Sequence, residues 1–320
     1  MMRKKNIRSI VFLVVAGVFL TFSPLQAAEV SPLVSTAWVA DNLNSITLVD
    51  VSKKGYAKGH ISGAIQIKWG SEVFAPETDH MVLGLAEIER VMSKMGVAQD
   101  SHIVLYDGDG KPHHVTRVYW TLKYWHFPKV SVMDGGIGLW QKEKRPVTTD
   151  RTKASRTNIE VKYPPNTKIR AMYSPDIIHA LATRKAVFVD SRPENFYNGK
   201  RYSLDKWVRS GHITGAVNVF TMNSLNKDKT FKSVAELKAM YEKAGVTADK
   251  SIITYCDTGV LATHGWFVMS ELLGYKKVKV YDGSIREYGN MFDTPMKPGI
   301  VHGQFPVAPI KELQEKVLIN

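Results

Sequence analysis

The chain has 320 residues, 44% hydrophobic and 10% aromatic, a balance that suits about two packed globular domains and excludes a disordered, collagenous or coiled-coil protein. A formal net charge of +13 favours small anionic ligands by steering. No basic helix with interleaved aromatics is present, so nucleic acid is not an expected partner.

The first residues are expected to be removed. "MMRKKNIRSI" is basic, Ile10 to Phe22 is apolar, and small residues including Ala27 and Ala28 follow. This is the layout of a secretory signal peptide over residues 1–27. A permanent anchor is the alternative reading, disfavoured because the apolar run is short for a bilayer. Cleavage removes Arg3, Lys4, Lys5 and Arg8 and no acid, leaving +9. The mature chain is then expected to be exported, in the periplasm, with no stable membrane anchor. Exported proteins normally pair their cysteines, yet this chain has one, Cys256. Cys256 is either a buried spectator or a reactive thiol.

The rest of the chain states one pattern twice. "ITLVDVSKKGYAKGHISGAIQI" (46–67) is echoed by "AVFVDSRPENFYNG…RSGHITGAVNV" (186–219), "MGVAQDSHIVLYDGDG" (95–110) by "AGVTADKSIITYCDTG" (244–259), and "KVSVMDGGIGLW" (129–140) by "KVKVYDGSIREY" (277–288). Three landmarks recur in order, offset by about 140 to 152 positions, which predicts two copies of one domain. In the second copy "SPDIIHALATRK" reads as a helix with Ser174 as N-cap and Pro175 in the first turn. "AVFVD" then reads as a buried strand, "SVAELKAMYEKAGV" as a helix ending at Gly245, "SIITY" as a strand, "ATHGWFVMSELLGY" as a helix ending at Gly274, and "KVKVYDG" as a strand. Strands alternating with helices predict an α/β fold, each domain a mainly parallel sheet with helices on both faces. The expected boundaries are 28–150 for the first domain, a Pro164-Pro165-containing linker over 151–170, 171–298 for the second domain and a tail over 299–320. Trp120, Trp125, Trp140, Trp207 and Trp266 are expected to serve packing.

In open α/β sheets, sites form where strands end and helices begin. Converging backbone N–H groups and the helix dipole stabilise an anion there, so a thiol so placed is expected to have its pKa lowered and to be a nucleophilic thiolate at neutral pH. "CDTGVLA" puts Cys256 directly after a strand, with Gly259 free to take an unusual backbone angle. The first copy has Asp107 in the same place, so only the second copy can do thiol chemistry.

The doubled domain, the thiol confined to the second copy, "GHI.GA" after the first strand of each copy and "YDG" after the last strand of the second together resemble the two-domain rhodanese sulfurtransferases, from about Val30 to Met296. The resemblance implies tandem rhodanese-like domains, the first catalytically silent. It implies that Cys256 accepts a sulfane sulfur from a small anionic donor, thiosulfate or 3-mercaptopyruvate, and passes it from a persulfide to a thiophilic acceptor, a protein acceptor included, with no cofactor or metal. It further implies that the loop Asp257, Thr258, Gly259, Val260, Leu261 and Ala262 cradles the persulfide, and that Arg192 holds the donor's anionic end. A structural pairing of Arg192 with Asp190 or Glu194 is the alternative. His60 matches a histidine that assists the mercaptopyruvate type, with a turn-fixing role as the alternative; its counterpart His212 is expected to fix a turn.

Two positions depart from the family. Thiosulfate-preferring members carry basic residues just after the cysteine and mercaptopyruvate-preferring members carry Gly then Ser, whereas this chain has Asp257 and Thr258. Asp257 is expected to raise the thiol pKa and repel a dianionic donor.

Rival chemistries fit less well. A cysteine phosphatase loop needs Arg six positions after the cysteine, where this chain has Ala262. A cysteine peptidase needs an oriented histidine; His264 is expected to face outward or pack on its own helix. "YDGDGKPHH" (106–114) lacks the acids of a calcium loop and reads as the degenerate loop of the silent domain. A sulfur carrier serving a partner is the main non-enzymatic alternative.

Overall fold

The computed structural model describes residues 30–76, 78, 80–98, 100–202 and 208–301. The expected signal peptide, Trp207 and all of the expected tail beyond residue 301 lie outside them. No helix among the described residues is long and apolar enough to cross a membrane.

The first half contains β1 (Leu33–Val34), α1 (Thr36–Asn42), β2 (Thr47–Ser52), β3 (Ile65–Lys68), α2 (Leu85–Lys94), β4 (Ile103–Asp107), α3 (Pro112–Tyr124), β5 (Val130–Met133) and α4 (Gly136–Lys142). The second contains β6 (Arg170–Ala171), α5 (Ile178–Thr183), β7 (Ala186–Asp190), α6 (Glu194–Tyr197), β8 (Arg209–Ile213), β9 (Val217–Asn218), α7 (Val234–Glu242), β10 (Ser251–Tyr255), α8 (Val260–Trp266), β11 (Val278–Tyr281), α9 (Ser284–Tyr288) and β12 (Met296–Val301). Each half forms a five-stranded sheet with the same order, β1-β5-β4-β2-β3 and β6-β11-β10-β7-β9. All pairings within both sheets are parallel. The tandem repeat is thus one topology built twice.

The strands are apolar on both sides because both sheet faces are covered. Along β4, Ile103 and Leu105 enter one core while Val104 and Tyr106 enter another, the two-residue alternation of a pleated strand. The inner core is shared between the domains: Leu105, Val118 and Trp120 of the first belong to one cluster with Ile252, Cys256 and Phe267 of the second. The outer faces carry separate clusters, one around Val104 and Trp140 and one around Phe188 and Tyr281. Trp120, Trp125, Trp140 and Trp266 are all buried, as packing residues should be.

The domains meet through paired contacts. Val82 N–H donates to Asp282 Oδ2 at 2.9 Å, and its counterpart Phe231 N–H donates to Asp134 Oδ1 at 2.9 Å. Helices α3 and α8 pack between the two sheets, where the Tyr119 hydroxyl donates to Glu271 Oε2 at 2.6 Å.

Several local expectations are sharpened. Ser174 takes the extended backbone of an N-cap (φ −111°, ψ 128°) directly before Pro175, Asp176 accepts the Met172 N–H, and the helix ends at Arg184 in a left-handed conformation. The 151–170 segment between the two domains is held in place. It lies along the first domain, where Thr157 Oγ1 donates to Val97 O, the Val161 N–H donates to Glu89 Oε1, and Ile159 is buried. Met296–Val301 pairs antiparallel with β8, so the fold runs past residue 298. Helix α7 does carry its start signal, a reciprocal Ser233–Glu236 capping box.

Candidate active site

Strand β10 delivers Cys256 to the mouth of the second sheet, and α8 begins at Val260. The loop closes because Gly259 takes a left-handed φ of +79°. A Cβ there would lie 2.8 Å from Asp282 O and 3.0 Å from Arg117 Nη1, so no side chain fits. The backbone N–H groups of Ala262, Thr258 and Leu261 turn onto the Cys256 sulfur. This is an amide nest at a helix start, shaped for an anion on that atom.

A second strut holds the loop from below. Ser284, the first residue of α9, sits at φ +52°, and its Oγ accepts the N–H of Cys256 at 3.1 Å and of Gly259 at 3.0 Å while donating to Tyr281 O at 2.7 Å. The N–H groups of Ile285 and Arg286 donate to Cys256 O and Asp257 O. In the first domain the equivalent position is Gly136, at φ +56°. Ser284 therefore occupies a left-handed site that the other copy gives to glycine.

Cys256 is 1% exposed. Burial, with Asp257 adding to it, pushes the thiol up to about 11 against the pull of the three amides. The lowered thiol pKa expected from the loop position is thus reversed, because burial outweighs the amides.

The other expected site residues fall into two groups. Asp257, Thr258, Gly259, Val260, Leu261 and Ala262 form the loop and the first turn of α8 around the sulfur. Arg192 is committed elsewhere: Nε and Nη2 form a fork on Asp190 at 2.9 and 2.6 Å, and Nη2 also donates to Gly211 O at 2.7 Å. Only Nη1 turns toward the loop, 3.4 Å from Asp257 Oδ1, and the side chain is 1% exposed. This is the pairing with Asp190 read as the alternative; Arg192 braces the strand end and tethers Asp257 rather than facing a donor. His60 is also placed away from a relay. Its Nδ1 faces Tyr56 O at 2.8 Å, its Nε2 faces Asp150 O at 3.1 Å, and its ring stacks on Tyr56. His212 repeats the arrangement on Tyr197, with Nδ1 2.8 Å from Tyr197 O, so both histidines fix turns. His264 does not face outward: it is buried between the domains, Nε2 2.9 Å from Ser224 Oγ and its ring stacked on Phe231.

Three residues escaped the sequence reading. Ser284 and Asp282 stood inside a recognised repeat without a role attached, and Arg117 carried no local signal. Arg117 Nη1 donates to Asp282 Oδ1 at 2.6 Å, both side chains essentially inaccessible to solvent, across the domain boundary.

A rhodanese-like domain model matches residues 35–143 and 174–291. The chain belongs to the rhodanese-like family, as a tandem of two such domains, within a set of relatives named for sulfur transfer. A Mycolicibacterium smegmatis protein provisionally named a thiosulfate sulfurtransferase is 34% identical over 83% of this chain and 98% of the relative. The sulfur carrier protein TtuD of Thermus thermophilus is 36% identical over 83% of this chain and 96% of its own. Among solved structures, SseA of Escherichia coli, described with the 3-mercaptopyruvate sulfotransferases, aligns at 27% identity and a TM-score of 0.69, covering 80% of this chain and 99% of SseA.

Proposed function

We propose that this chain transfers a sulfane sulfur through a persulfide on Cys256. The observation that carries the reading is the set of three amide N–H groups, from Thr258, Leu261 and Ala262, converging on a buried thiol at a helix start. The relatives' names and the tandem fold agree with it.

In the loading step the Cys256 thiol gives up its proton to solvent and the thiolate attacks the outer sulfur of a donor. A new Cys256 S–S bond forms as the donor's bond to that sulfur breaks. The bonding pair leaves with the donor fragment, as sulfite from thiosulfate or as the enolate of pyruvate from 3-mercaptopyruvate. The loop amides then face the terminal sulfur anion in a site with little water, where such dipoles act strongly. Transfer to a thiophilic acceptor breaks the S–S bond and returns the thiolate. Asp257 places a negative charge next to the entering donor, so a monoanion meets less repulsion than a dianion; 3-mercaptopyruvate is the donor this favours over thiosulfate.

Asp257 and the high thiol pKa also favour a second reading, in which the persulfide is held for a protein acceptor, as the name of the Thermus relative would suggest for that protein. The two readings part at the acceptor. Intact-mass analysis after exposure to each donor measures sulfur loading, and cyanide then tests release. Loading on Cys256 reversed by cyanide supports the enzyme, loading that resists cyanide supports the carrier, and no adduct from either donor refutes both. Export to the periplasm is part of the same proposal, resting on residues 1–27 alone; N-terminal sequencing of the secreted chain tests it, with a start at Met1 counting against it.

A further inference from the structure

Helix α3 of the domain without a nucleophile packs against α8 of the other, and Arg117 is where it reaches the Cys256 loop, against Gly259. We infer that Arg117 of the silent domain is a positioning residue for the Cys256 loop, acting through Asp282. The inference rests on the sulfur-transfer reading for its functional consequence, but its geometry stands without it.

Arg117 arises from the middle of α3 and crosses into the second domain. Nη1 meets Asp282 Oδ1 at 2.6 Å and Nη2 donates to His80 O at 3.0 Å. The guanidinium lies over the Phe74 and Trp120 rings, 5.3 and 5.1 Å from their centroids. It is therefore fixed in direction by rings on its own domain and by charge on the other. Asp282 has further partners: Arg170 Nη2 at 3.3 Å and the Val82 N–H at 2.9 Å, both from outside β11.

Asp282 leads directly into Gly283 and Ser284, and Ser284 Oγ holds the N–H groups of Cys256 and Gly259. Gly259 in turn packs against Asp282 O, Asp282 Oδ1 and Arg117 Nη1, at 2.8 to 3.0 Å from where its Cβ would be. The loop thus rests on the ion pair on one side and on the serine behind it. While the pair is intact its two charges cancel beside Gly259. Without Arg117, the Asp282 carboxylate keeps Arg170 and one amide but loses its closest cation, next to a loop built to stabilise an anion. The loop loses both its spacer and its charge balance.

The test compares Arg117→Met, Arg117→Lys and a control, Tyr119→Phe, which removes a different cross-domain hydrogen bond, the one to Glu271. The readouts are the pH dependence of Cys256 alkylation by iodoacetamide, followed by intact mass, and the kcat and KM of sulfur loading from the preferred donor. Arg117→Met is expected to shift the alkylation profile to higher pH and to lower kcat by about tenfold or more with KM little changed. Arg117→Lys is expected to recover part of both, and Tyr119→Phe to leave both as in the parent. If Arg117→Met does not fold, Asp282→Asn removes the same pair and is expected to alter the same profile. Alkylation and kcat unchanged in a folded Arg117→Met protein, whatever its Tm, would overturn the inference. Alkylation needs no sulfur donor, so a parent protein that accepts no sulfur would refute the proposed function while leaving this comparison decisive.

Discussion

Replacing Asp257 by Asn should make Cys256 more reactive, an unusual direction for a mutation beside a nucleophile. Asp257 directly follows Cys256, which puts its carboxylate roughly 6 Å from the sulfur given the ~3.8 Å spacing of successive Cα atoms. At an effective dielectric of about 20, two like charges at that distance repel by about 3 kcal/mol. The carboxylate is 28% exposed and lies 3.4 Å from Arg192 Nη1, both of which weaken the repulsion. About 1–1.5 kcal/mol is left, equivalent to about a tenfold change in proton affinity of the thiol. Asn keeps the shape and an oxygen for Arg192. The assay is alkylation by iodoacetamide across pH 7 to 11. Asp257→Asn should react about tenfold faster at pH 8, with its profile moved to lower pH; the gain should shrink at high salt for the exposed part of the interaction. An unchanged profile would refute the assignment of Asp257 as a brake on thiolate formation.

Further outcomes follow from the struts around the site and from the silent domain. Ser284→Gly keeps the left-handed backbone but removes the acceptor of two N–H groups, so sulfur loading should fall about tenfold, in line with about 1–2 kcal/mol for a lost buried acceptor, and stopped-flow loading kinetics would show it. Arg192→Met leaves Asp190 buried without its partner and should lower stability by about 3–5 kcal/mol; denaturant unfolding measures this, and a stable variant with only a raised KM would return Arg192 to donor binding. In the first domain the counterpart of Asp190 is Asp50, which has Ser52 where Arg192 would stand, so that its carboxylate faces the Ser52 and Tyr106 hydroxyls in place of a guanidinium. Burial pushes Asp50 from 3.8 up to about 6, so the native state binds its proton more tightly than the unfolded chain. Stability should therefore fall as pH rises from about 4 to about 6 and stay lower above that, by up to about 3 kcal/mol from this group. Asp50→Asn should remove that loss and stabilise the protein at pH 7.5, measured by urea unfolding at pH 5 and 7.5.

Much of the architecture was legible because the chain repeats itself. Landmark residues mark several strand ends, as Asp190 does for β7, Cys256 after β10 and Asp282 after β11, and doubling turned short motifs into a topology. Cys256 was legible for a simpler reason, as the only thiol, placed after a strand and before a glycine-bearing turn. Arg192 shows where local reading stops. An arginine two positions after an aspartate suits a donor clamp or a buried fork equally well, and only its 1% exposure and the Gly211 carbonyl decide for the fork. His60 and His212 gave a better clue: a histidine present in both copies, with a nucleophile in only one, belongs to the fold. Ser284 and Arg117 were out of reach because their partners lie 28 and 165 positions away in sequence, and nothing local distinguishes a serine in a left-handed turn from any other serine. His264 was misplaced for a related reason, since its burial depends on a partner domain that its own helix does not reveal.

The most direct test of the account is intact-mass analysis of the protein and of Cys256→Ser after exposure to 3-mercaptopyruvate and, separately, to thiosulfate. The account predicts a gain of one sulfur atom in the parent, larger with 3-mercaptopyruvate, and none in Cys256→Ser. A sulfur adduct that persists in Cys256→Ser, or none in the folded parent with either donor, would contradict it.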